Sequence, residues 1–343
     1  MTVGQRTRVS LVILNWNSYR ATIACLESVF LMVKGEIKLD IYLVDNGSED
    51  NSVDKLANHL IGCGLSLAGS SFKDGLKYQT FMENSTDSSK KTNTGLGEIY
   101  LIEAGVNGGY AKGNNIGLRF AQRLSYDYYW ILNNDTQVER ACLKQLIEKA
   151  REDDRETGLW GVKLMQLNNP DELECFGGYQ ISLITMRGHP TRDLSHFRRL
   201  QDNKNSCGSF YISGASMMLS SHLLDHIKSL SEDYFLYCEE VDLASRMGAF
   251  KMSVADKAVV FHVGGGSAKT ANGKGGFGSA QSEYRMARSK VIYSLKYNKK
   301  FITSVITFQF LRGLKSILFG HGISLFKAIV LGIKSGFLFR SEL

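Results

Sequence analysis

The stretch YYWILNNDTQVER, residues 128–140, takes a run of aromatic and aliphatic side chains to an abrupt polar end at Asn133, Asn134 and Asp135. A buried strand that ends in a turn produces this pattern, because Asn and Asp favour turn conformations. Three other apolar segments end in the same way: VSLVILNWN (9–17), IKLDIYLVDNGS (37–48) and EIYLIEAGVNGG (98–109). Four such ends indicate the rim of a binding site for a polar ligand, provided that the strands end at one edge of a sheet.

Helical patterns between these segments predict that the strands are parallel. Ser18 can cap a helix that runs to about residue 33, and further helices are expected at 52–60, 114–124 and 138–152. This alternation predicts an α/β fold, and ligands of such sheets bind beyond the carboxyl ends of the strands. In the less regular second half we expect strands at 159–165, 209–220 and 253–263, and helices within 222–230 and 234–250.

Residues 62–97 interrupt the alternation. Half of them are Gly, Ser, Thr or Asn, and they show no clear period. We expect a low-complexity insertion that is mobile at its centre and peripheral, with a lid over the ligand as the alternative. The domain organisation predicted from these features is a catalytic domain over residues 1–280 and a basic, amphipathic helical region over residues 281–343.

Composition and charge argue against several classes of protein. The six cysteines follow no CxxC or clustered Cys/His spacing, which argues against a zinc site or a disulfide scaffold and favours free thiols in a reducing cytosol. We expect no signal peptide, because the apolar run VSLVIL is too short for one. Residues 284–343 carry a net charge of +10 and residues 1–283 a net charge of −3. The body of the chain therefore gives no electrostatic case for nucleic acid.

The segment EEVDLASR, residues 239–246, holds three carboxylates within four residues. On a helix, Asp242 and Arg246 are ion-pair partners, so another carboxylate can point away from that pair. Carboxylates that crowd together away from water raise one another's pKa, and a raised pKa suits a general base near neutral pH. The alternative is a solvated acidic helix start, which the helix dipole favours.

Asp135 and His262 are candidate metal ligands. Carboxylate oxygens suit Mg²⁺ or Mn²⁺, and imidazole binds Mn²⁺, so this pair would leave positions open for two phosphate oxygens. His262 precedes three glycines at 264–266, which let backbone approach a ligand closely; a structural histidine is the alternative. The stretch NGGYAKGNNIG (107–117) is neither GxGxxG nor a Walker loop, but its glycines and the following helix suit an anionic or sugar ligand.

Seven motifs occur in order along residues 8–268: VSLVILNWN, LVDNGSEDNS, NGGYAKGNNIG, ILNNDT, SGASMML, FLYCEEVDLASR and FHVGGGS. The series resembles the family 2 inverting glycosyltransferases with a GT-A fold, especially their rhamnosyltransferase-like and galactofuranosyltransferase-like branch. The resemblance implies a Rossmann-like nucleotide-diphospho-sugar transferase with a mixed, mostly parallel sheet flanked by helices and a C-terminal helical extension. It also implies transfer of a sugar such as rhamnose from a dTDP- or UDP-sugar to a glycan acceptor in cell-surface polysaccharide synthesis.

The resemblance assigns roles to individual residues. The base and ribose of the donor would be held by Asn15, Asn17 and Asp45. The nucleotide and donor-sugar pocket would be lined by Asn107, Gly108 and Asn115. The place of the family's DxD motif is taken by Asn133, Asn134 and Asp135, which keeps one carboxylate beside the nucleotide-sugar. The cation, Mg²⁺ or Mn²⁺, would be held by Asp135 and His262. The base would be Glu240, with Glu239 and Asp242 as alternatives.

The C-terminal tail leads to a prediction of membrane contact. Bulky apolar residues between Phe301 and Phe319 are interleaved with Arg312 and Lys315, and no charge-free apolar run reaches the ~18–20 residues that span a bilayer. Such a helix fits an anionic membrane surface, and predicts a peripheral protein at the inner face of the cell membrane with a lipid-linked glycan acceptor. The alternative is packing on the catalytic domain or on the partner subunit of a homodimer.

Two rival functions stand beside the glycosyltransferase. A sugar nucleotidyltransferase would be expected to carry a Gly-rich loop with Lys or Arg after the first strand, and NWNSYRATIA offers none. A catalytically degenerate homologue acting as a membrane scaffold would be favoured by loss of the base or of the metal carboxylate. Both Glu240 and Asp135 are present.

Overall fold

The computed structural model describes residues 6–32, 35–83, 95–202, 208–263 and 277–339. In chain order, its strands are β1 Thr7–Asn15, β2 Ile37–Asp45, β3 Leu65–Lys73, β4 Leu76–Glu83, β5 Leu96–Glu103, β6 Tyr128–Asn133, β7 Thr136–Val138, β8 Thr157–Gln166, β9 Asn169–Phe176, β10 Gly178–Ser182, β11 Gly188–Pro190, β12 Gly208–Ile212, β13 Ser216–Ser220 and β14 Lys251–His262. Its α-helices are α1 Tyr19–Met32, α2 Ser52–Gly62, α3 Tyr110–Ala121, α4 Cys142–Glu152, α5 Leu194–Asp202, α6 Ser221–Ile227, α7 Glu239–Arg246, α8 Ala280–Tyr297, α9 Ile302–Leu318 and α10 Gly322–Leu338.

The main sheet has eleven strands, and its centre is parallel. Strands β5, β2, β1 and β6 lie side by side in that order and run in the same direction. Antiparallel strands extend the sheet at both sides, with β4 and β3 beyond β5 and with β13 beyond β6. Strand β8 follows β13, then the parallel β14 and the antiparallel β7. The predicted α/β fold with a mixed sheet is confirmed, and the four polar strand ends share one edge.

Both faces of the parallel centre are buried because its strands carry apolar side chains on both sides. Successive side chains of a strand point to opposite faces, so Val9, Leu11 and Ile13 of β1 join one core with helices α1, α2 and α4. Val12 joins the other core, with α3, α6 and α7. Each fully buried side chain of this size contributes about 1.5–3 kcal/mol. The buried sheet therefore supports the edge at which the four polar strand ends lie.

A hairpin lies where the sequence shows no period. Within residues 62–97, β3 and β4 pair with each other and β4 pairs with β5, so the insertion extends the main sheet. Most of β3 is exposed on both faces, which explains why no alternation of apolar and polar residues marks it. The centre of the insertion, residues 84–94, lies outside the described residues, as do the glycines at 264–266.

Several predicted elements have different bounds, and two of these differences concern the strands. The single strand expected at 209–220 is two strands in different sheets, β12 and β13, separated at residues 213–215. The helix expected from residue 138 begins only at Cys142, because Thr136–Val138 pairs with β14 as β7. Both differences matter for function, since the turn at 213–215 and the strand β7 both border the site described below.

Three helices complete the chain. Helix α8 packs against the segment before and within α7, where Oγ of Ser289 donates to the carbonyl of Leu236 (2.8 Å). Helix α10 lies along α8, and a Cβ at Gly336 would lie 2.7 Å from Cβ of Val291, so glycine permits this close approach. By length and composition, Lys299–Leu318 is apolar enough to cross a membrane, with a mean hydropathy of 1.2 and 22% of it buried. It contains Arg312 and Lys315 and is therefore not charge-free.

Candidate active site

A buried polar cluster joins the ends of β1 and β2. The side-chain amide of Asn15 donates to Oδ2 of Asp45 (2.7 Å) and to Oγ of Ser48 (3.2 Å), while its Oδ1 accepts from Oγ1 of Thr22 (2.7 Å). Oδ1 of Asp45 accepts from the backbone N–H of Ser48 (2.9 Å). Asn15 is 0% exposed. Its hydrogen bonds all go to protein groups, so Asn15 positions Asp45. From the sequence, we instead expect Asn15 to hold the nucleotide.

The loops after β1 and β2 are tied together. The backbone N–H of Asn17 donates to Oγ of Ser48 (2.8 Å), and Oδ1 of Asn17 accepts from the backbone N–H of Glu49 (2.8 Å). Gly47 has φ +74°, and a Cβ there would lie 2.7 Å from backbone atoms of Val106, so no other residue fits without a shift. Asn17 is exposed at this rim and is joined to the loop after Asp45 through Ser48 and Glu49.

The Gly-rich loop after β5 is clamped by Asn46, a residue that sequence reasoning did not select. Its amide donates to Oδ1 of Asn107 (3.0 Å) and to the carbonyl of Gly109 (3.2 Å), and its Oδ1 accepts from the N–H of Gly108 (3.2 Å). Gly109 has φ +87° and lies against the carbonyl of Phe235, where a Cβ would collide. Asn107 and Gly108 thus stand at the rim, in the place expected for them.

Asn115 has a different position from the one expected. Its amide donates to the carbonyl of Leu230 (2.9 Å) and to Oε1 of Glu232 (2.8 Å), and its Oδ1 accepts from the N–H of Leu230 (2.9 Å). Helix α3 begins at Tyr110 and not at the expected 114. Asn115 therefore fastens α3 to the 230–232 segment and does not line the nucleotide rim. Its neighbour Asn114 is 1% exposed, and its Oδ1 has no partner among the described residues.

The end of β6 carries the three residues of the NND stretch. The backbone N–H of Asn133 donates to the carbonyl of Ala215 (2.9 Å). The amide of Asn134 donates to Oγ1 of Thr22 (2.8 Å), which joins it to the Asn15 cluster. Asp135 follows with a side chain 20% exposed. The three residues thus connect the nucleotide rim, the 213–215 turn and, through Asp135, the end of β14.

Asp135 and His262 are brought together by the pairing of β7 with β14. Thr136 is opposite His262 in that pairing, and the N–H of Val263 donates to the carbonyl of Asp135 (3.1 Å). Nε2 of His262 lies 3.4 Å from Oδ1 of Asp135, and its Nδ1 lies 2.9 Å from Oε2 of Glu174 on β9. Burial lowers the pKa of His262, but the bonds to both carboxylates outweigh burial and raise its pKa to about 9.

This pair fits Mg²⁺ or Mn²⁺ by its donor chemistry. A carboxylate oxygen and an imidazole nitrogen face each other, and a second carboxylate holds the other ring nitrogen, as partners of metal-bound histidines do. Within the described ranges, no three His, Cys, Asp or Glu side chains form a group that could hold a metal ion. The protein would therefore supply two ligands, with oxygens of a phosphate ligand and water completing the shell. Sequence reasoning missed Glu174, because the turn residues Asn168, Asn169 and Pro170 mark a hairpin but not which side chain of β9 faces His262.

The acidic helix α7 places Glu240 against the 213–215 turn. Oε1 of Glu240 accepts from the backbone N–H of Gly214 (3.3 Å), and the hydroxyl of Tyr110 donates to the carbonyl of Gly214 (2.7 Å). A Cβ at Gly214 would lie 2.5 Å from Oε1 of Glu240. Burial raises the pKa of Glu240. Glu240 is half-buried and therefore combines access to solvent with a raised pKa.

The other two candidate bases have different surroundings. Asp242 is 0% exposed, and its carboxylate binds Arg246 (2.5 Å), Lys296 (3.0 Å) and the hydroxyl of Tyr234 (3.0 Å). A carboxylate with two cations and a hydroxyl donor is a structural group, so Asp242 does not fit the role of base. Glu239 is 1% exposed, and its Oε1 has no partner among the described residues. Burial, and next the neighbouring Glu240, raise the pKa of Glu239 well above its ordinary value.

Tyr110 links the carboxylate of α7 to the end of β6. Burial raises its pKa first, and the carboxylates of Glu240, Glu239 and Asp135 raise it further. All three carboxylates therefore lie within electrostatic range of one phenol. The backbone connects them as well, because the turn that touches Glu240 is bonded through Ala215 to Asn133, two residues before Asp135. The predicted base and the predicted metal ligands share one neighbourhood.

A large cavity lies away from these residues. A cavity of about 1130 Å³ is lined by residues such as Lys149, Phe197 and Lys251 and contains none of the site residues. It adjoins the first residues of β8 and β14, at the edge opposite the polar strand ends. Two of its lysines are paired, with Lys251 bound to Asp154 (2.9 Å) and Lys149 bound to Asp153 (2.6 Å). The polar edge is therefore the better candidate for an active site.

Comparison with known sequences gives one distant relative. No family model matches the chain. The chain is 22% identical over 190 residues to the low-salt glycan biosynthesis hexosyltransferase Agl10 of Haloferax volcanii. The match covers 52% of this chain and 56% of the relative, so the chain spans about half the length of that protein.

Comparison with solved structures gives the fold. GalNAc-T7, solved with UDP, GalNAc and Mn²⁺, is similar with a TM-score of 0.55 at 12% identity, over 87% of this chain and 50% of that chain. A fragment of TarS from S. aureus, solved with UDP-GlcNAc, has a TM-score of 0.50 at 12% identity, over 88% of this chain and 71% of that chain. The chain thus has the GT-A fold, as the seven motifs predict.

Proposed function

We propose that the chain is a metal-assisted glycosyltransferase that moves a sugar from a nucleotide-sugar to a hydroxyl group of a glycan acceptor. The observation that carries the proposal is the 213–215 turn, whose Gly214 N–H donates to Glu240 and whose Ala215 carbonyl accepts from Asn133, two residues before Asp135. A cation site and a base at one edge of the sheet suit this reaction. The fold and the similarity to a hexosyltransferase of glycan biosynthesis support the same class of activity.

Glu240 has the properties of the general base. Its carboxylate would accept the proton of the acceptor hydroxyl while the acceptor oxygen forms a bond to the anomeric carbon of the donor sugar. The bond between that carbon and the diphosphate oxygen breaks in the same step, and the nucleoside diphosphate leaves. The raised pKa makes Glu240 a stronger base than an exposed glutamate. The N–H of Gly214 fixes one carboxylate oxygen and leaves the other for the acceptor.

Asp135 and His262 would hold Mg²⁺ or Mn²⁺ against the donor diphosphate. When bound, the cation supplies positive charge to the oxygens of the leaving group. Glu174 keeps the imidazole in place through Nδ1. A cation that stabilises the leaving group removes the need for an acid to protonate it, so one base is sufficient. A single displacement from the opposite face inverts the anomeric configuration, which is the outcome we propose.

The donor nucleoside would lie at the rim formed by the ends of β1, β2 and β5. Asp45 is oriented there by Asn15 and Ser48, and Asn107 and Gly108 are held by Asn46. A carboxylate fixed by two hydrogen bonds can accept from the donor groups of a base or ribose. We propose a dTDP- or UDP-sugar, with rhamnose or a related sugar as the transferred group, as the motif series implies.

The proposal is tested by the release of nucleoside diphosphate. UDP- and dTDP-sugars are screened with Mg²⁺ or Mn²⁺ by thermal shift, and stabilising donors are assayed for donor-dependent release of UDP or dTDP. We expect release that requires the cation and increases with a glycan acceptor. A sugar nucleotidyltransferase would instead release pyrophosphate from a nucleoside triphosphate and a sugar phosphate. Release of neither product would favour the scaffold.

The outer helices support contact with a membrane. On α9 the buried positions include Gln309 and Ser316, at 1% and 0% exposure, while Leu311 and Leu318 are 56% and 86% exposed. On α10 the buried side includes Gly332 and Gly336, and its exposed side includes Ile323, Leu331 and Leu338. The buried sides also hold Val305, Leu325 and Ile329, but their other members are polar or small while many large apolar residues face outward, which is unusual for a helix in water.

We propose that this outward face lies in the surface of an anionic membrane. The exposed lysines Lys315, Lys327 and Lys334 lie on the same two helices, and basic residues beside bulky apolar ones bind such surfaces. The protein would then be cytoplasmic and peripheral at the inner face of the cell membrane, with a lipid-linked glycan as acceptor. A homodimer that covers the same face is the alternative.

A further inference from the structure

A second cavity, of about 380 Å³, lies between the donor rim and the C-terminal helices. On the rim side it is lined by Gly108, whose N–H is held by Asn46. The remaining lining residues come from the 232–235 segment, from α8 and from the end of α10: Glu232, Asp233, Phe235, Tyr284, Arg285, Arg288, Ser289 and Phe339. The cavity therefore touches both the candidate active site and the helices that face outward.

Two arginines in its wall keep hydrogen-bond donors available. The guanidinium of Arg285 lies over the ring of Phe235, with Cζ 3.7 Å from the ring centre. Stacking uses the face of the guanidinium and leaves the N–H groups at its edges. Arg288 donates from Nη1 to the carbonyl of Asp233 (3.1 Å) and lies over the ring of Phe339. Each arginine is thus held in place by neutral groups.

The two carboxylates in the wall are paired with other cations. Glu232 binds Arg119 (3.3 Å), and Asp233 binds Lys296 (2.6 Å). Across the part of the chain that the structure describes, neither Arg285 nor Arg288 forms an ion pair with a carboxylate. The four charged side chains of the wall sum to zero, and the two cations that bind its carboxylates from outside the wall, Arg119 and Lys296, make the surroundings of the cavity positive. Burial lowers the pKa of Arg285, and an anion in the cavity would offset that cost.

We propose that this cavity is an anion subsite that binds the phosphate or diphosphate group of a lipid-linked acceptor. Two neighbouring guanidinium groups suit the several oxygens of a phosphate, because each can donate two parallel hydrogen bonds. The subsite deepens the proposed function and rests on it for the identity of the ligand. Its place beside Gly108 would put the acceptor's sugar at the donor rim while its phosphate stays on α8.

The path of the lipid follows from the helix packing. The hydroxyl of Tyr284, in the cavity wall, lies 3.0 Å from Oγ of Ser335 on α10. Phe339, at the end of α10, closes the same wall, and the neighbouring Leu338 is 61% exposed. An acyl or prenyl chain attached to the bound phosphate could therefore continue along the outward apolar face. The outward face and the arginine pair would then recognise two parts of one amphipathic molecule.

Binding of inorganic pyrophosphate tests the subsite without a membrane or a donor. Titration calorimetry is run on the Asp135→Ala variant in a chelator, so that cation-dependent binding at the donor site does not contribute. We expect Arg285→Gln combined with Arg288→Gln to weaken pyrophosphate binding at least ~10-fold, the effect of losing charge-assisted hydrogen bonds. The matched control is Arg155→Gln combined with Arg199→Gln, which removes the same charge from exposed positions elsewhere.

Vesicles distinguish the source of the phosphate. Phosphatidylcholine vesicles that contain a long-chain polyprenyl phosphate are compared with vesicles that contain phosphatidylglycerol at the same charge. We expect the arginine variant to lose the preference for the polyprenyl phosphate and to keep its binding to phosphatidylglycerol. Loss of binding to both vesicles would assign the arginines to general attraction by anionic membranes and would overturn the proposal.

Three further results would contradict the subsite. Pyrophosphate binding that survives the substitution of Arg285 and Arg288 would exclude the subsite. An equal loss of binding in the Arg155 and Arg199 control would show that binding depends only on the net charge of the protein. Equal loss of UDP affinity, measured with Mn²⁺ in the Asp135-containing protein, would make the cavity part of the donor site. If nucleotide-sugars are not turned over but pyrophosphate binds through Arg285 and Arg288, the proposed function fails and the anion subsite stands.

Discussion

The backbone N–H of Gly214 donates to Oε1 of Glu240 at 3.3 Å, and the space beside the glycine is the space that the carboxylate occupies. A Cβ at position 214 would lie 2.5 Å from Oε1 and 3.0 Å from the hydroxyl of Tyr110. Because residue 214 is a glycine, the carboxylate of Glu240 can occupy this space and receive the N–H of Gly214. The turn comes from the break between β12 and β13, inside a run of residues that looks like one strand.

Substitution of this glycine tests the position of the base. Gly214→Ala should move the Glu240 carboxylate and lower kcat by between about 10- and 100-fold, because small displacements of catalytic groups have effects of this size. Donor affinity, measured by calorimetry, should stay near that of the parent protein. Gly69→Ala is the control, since a Cβ there meets nothing within 4 Å. Full activity in Gly214→Ala would show that Glu240 needs no such space.

The buried carboxyl of Glu239, whose Oε1 has no partner among the described residues, predicts a stability that depends on pH. Its pKa in the folded protein is raised by burial, so between its ordinary pKa and the raised value the folded state binds a proton that the unfolded state releases. Stability is then lost as pH rises through that range, by at most about 1.4 kcal/mol per pH unit. Glu239→Gln cannot lose that proton. We expect the Tm of Glu239→Gln relative to the parent protein to increase from pH 5 to pH 8.

The exposed Glu152→Gln is the control for this comparison, since its side chain lies at the surface of α4. It should give a constant difference in Tm across the same pH range. A constant difference for Glu239→Gln as well would contradict the burial of an ionisable carboxyl at this position.

The pairing of β7 with β14 predicts a cation site that depends on three side chains. Asp135→Ala and His262→Ala should each abolish the binding of Mn²⁺ in the presence of UDP, measured by electron paramagnetic resonance. Glu174→Gln should weaken it by about 10–100-fold, the usual effect of losing a group that orients a metal-bound histidine. Asp256→Asn, an exposed change on β14, serves as the control. Unchanged Mn²⁺ affinity in Asp135→Ala would remove Asp135 from the site.

The outward apolar face predicts binding to vesicles. Leu318→Gln combined with Leu331→Gln should lower cosedimentation with phosphatidylcholine–phosphatidylglycerol vesicles at least ~10-fold, since each leucine transferred from water contributes about 1.5–3 kcal/mol. Phe72→Gln combined with Leu67→Gln is the control, because these residues of β3 are 74% and 48% exposed. Undiminished cosedimentation, together with a dimer that the leucine variant dissociates, would assign the face to a homodimer.

Asp135 and Asn115 show which parts of the site the sequence could predict and which it could not. Asp135 follows an apolar strand, and the carboxyl ends of neighbouring parallel strands meet at one edge, so its place beside His262 was within reach of pattern reasoning. Asn115 lies on α3, whose observed start is four residues before the expected one. The sequence pattern therefore did not determine which way Asn115 faces. Its hydrogen bonds to Leu230 and Glu232 join segments 115 residues or more apart, and no local pattern marks such a contact.

The candidate bases show the same limit. The ion pair of Asp242 with Arg246 follows from their spacing of four residues on a helix. The second cation on Asp242, Lys296, comes from α8 and is 54 residues away. Only that contact shows that Asp242 is fully engaged while Glu240 is not. Glu174, which orients His262, was likewise missed: Asn168, Asn169 and Pro170 mark the turn of its hairpin, but the contact with His262 spans 88 residues.

Replacement of Glu240 by glutamine tests the central claim most directly. The amide keeps the size of the side chain and cannot accept the acceptor's proton, so turnover of nucleotide-sugar with acceptor should fall by about 10²–10⁴-fold, the contribution of general base catalysis. Donor affinity in the presence of Mn²⁺ should not change. The account predicts this separation of donor binding from turnover in Glu240→Gln, and near-normal turnover in that variant would contradict it.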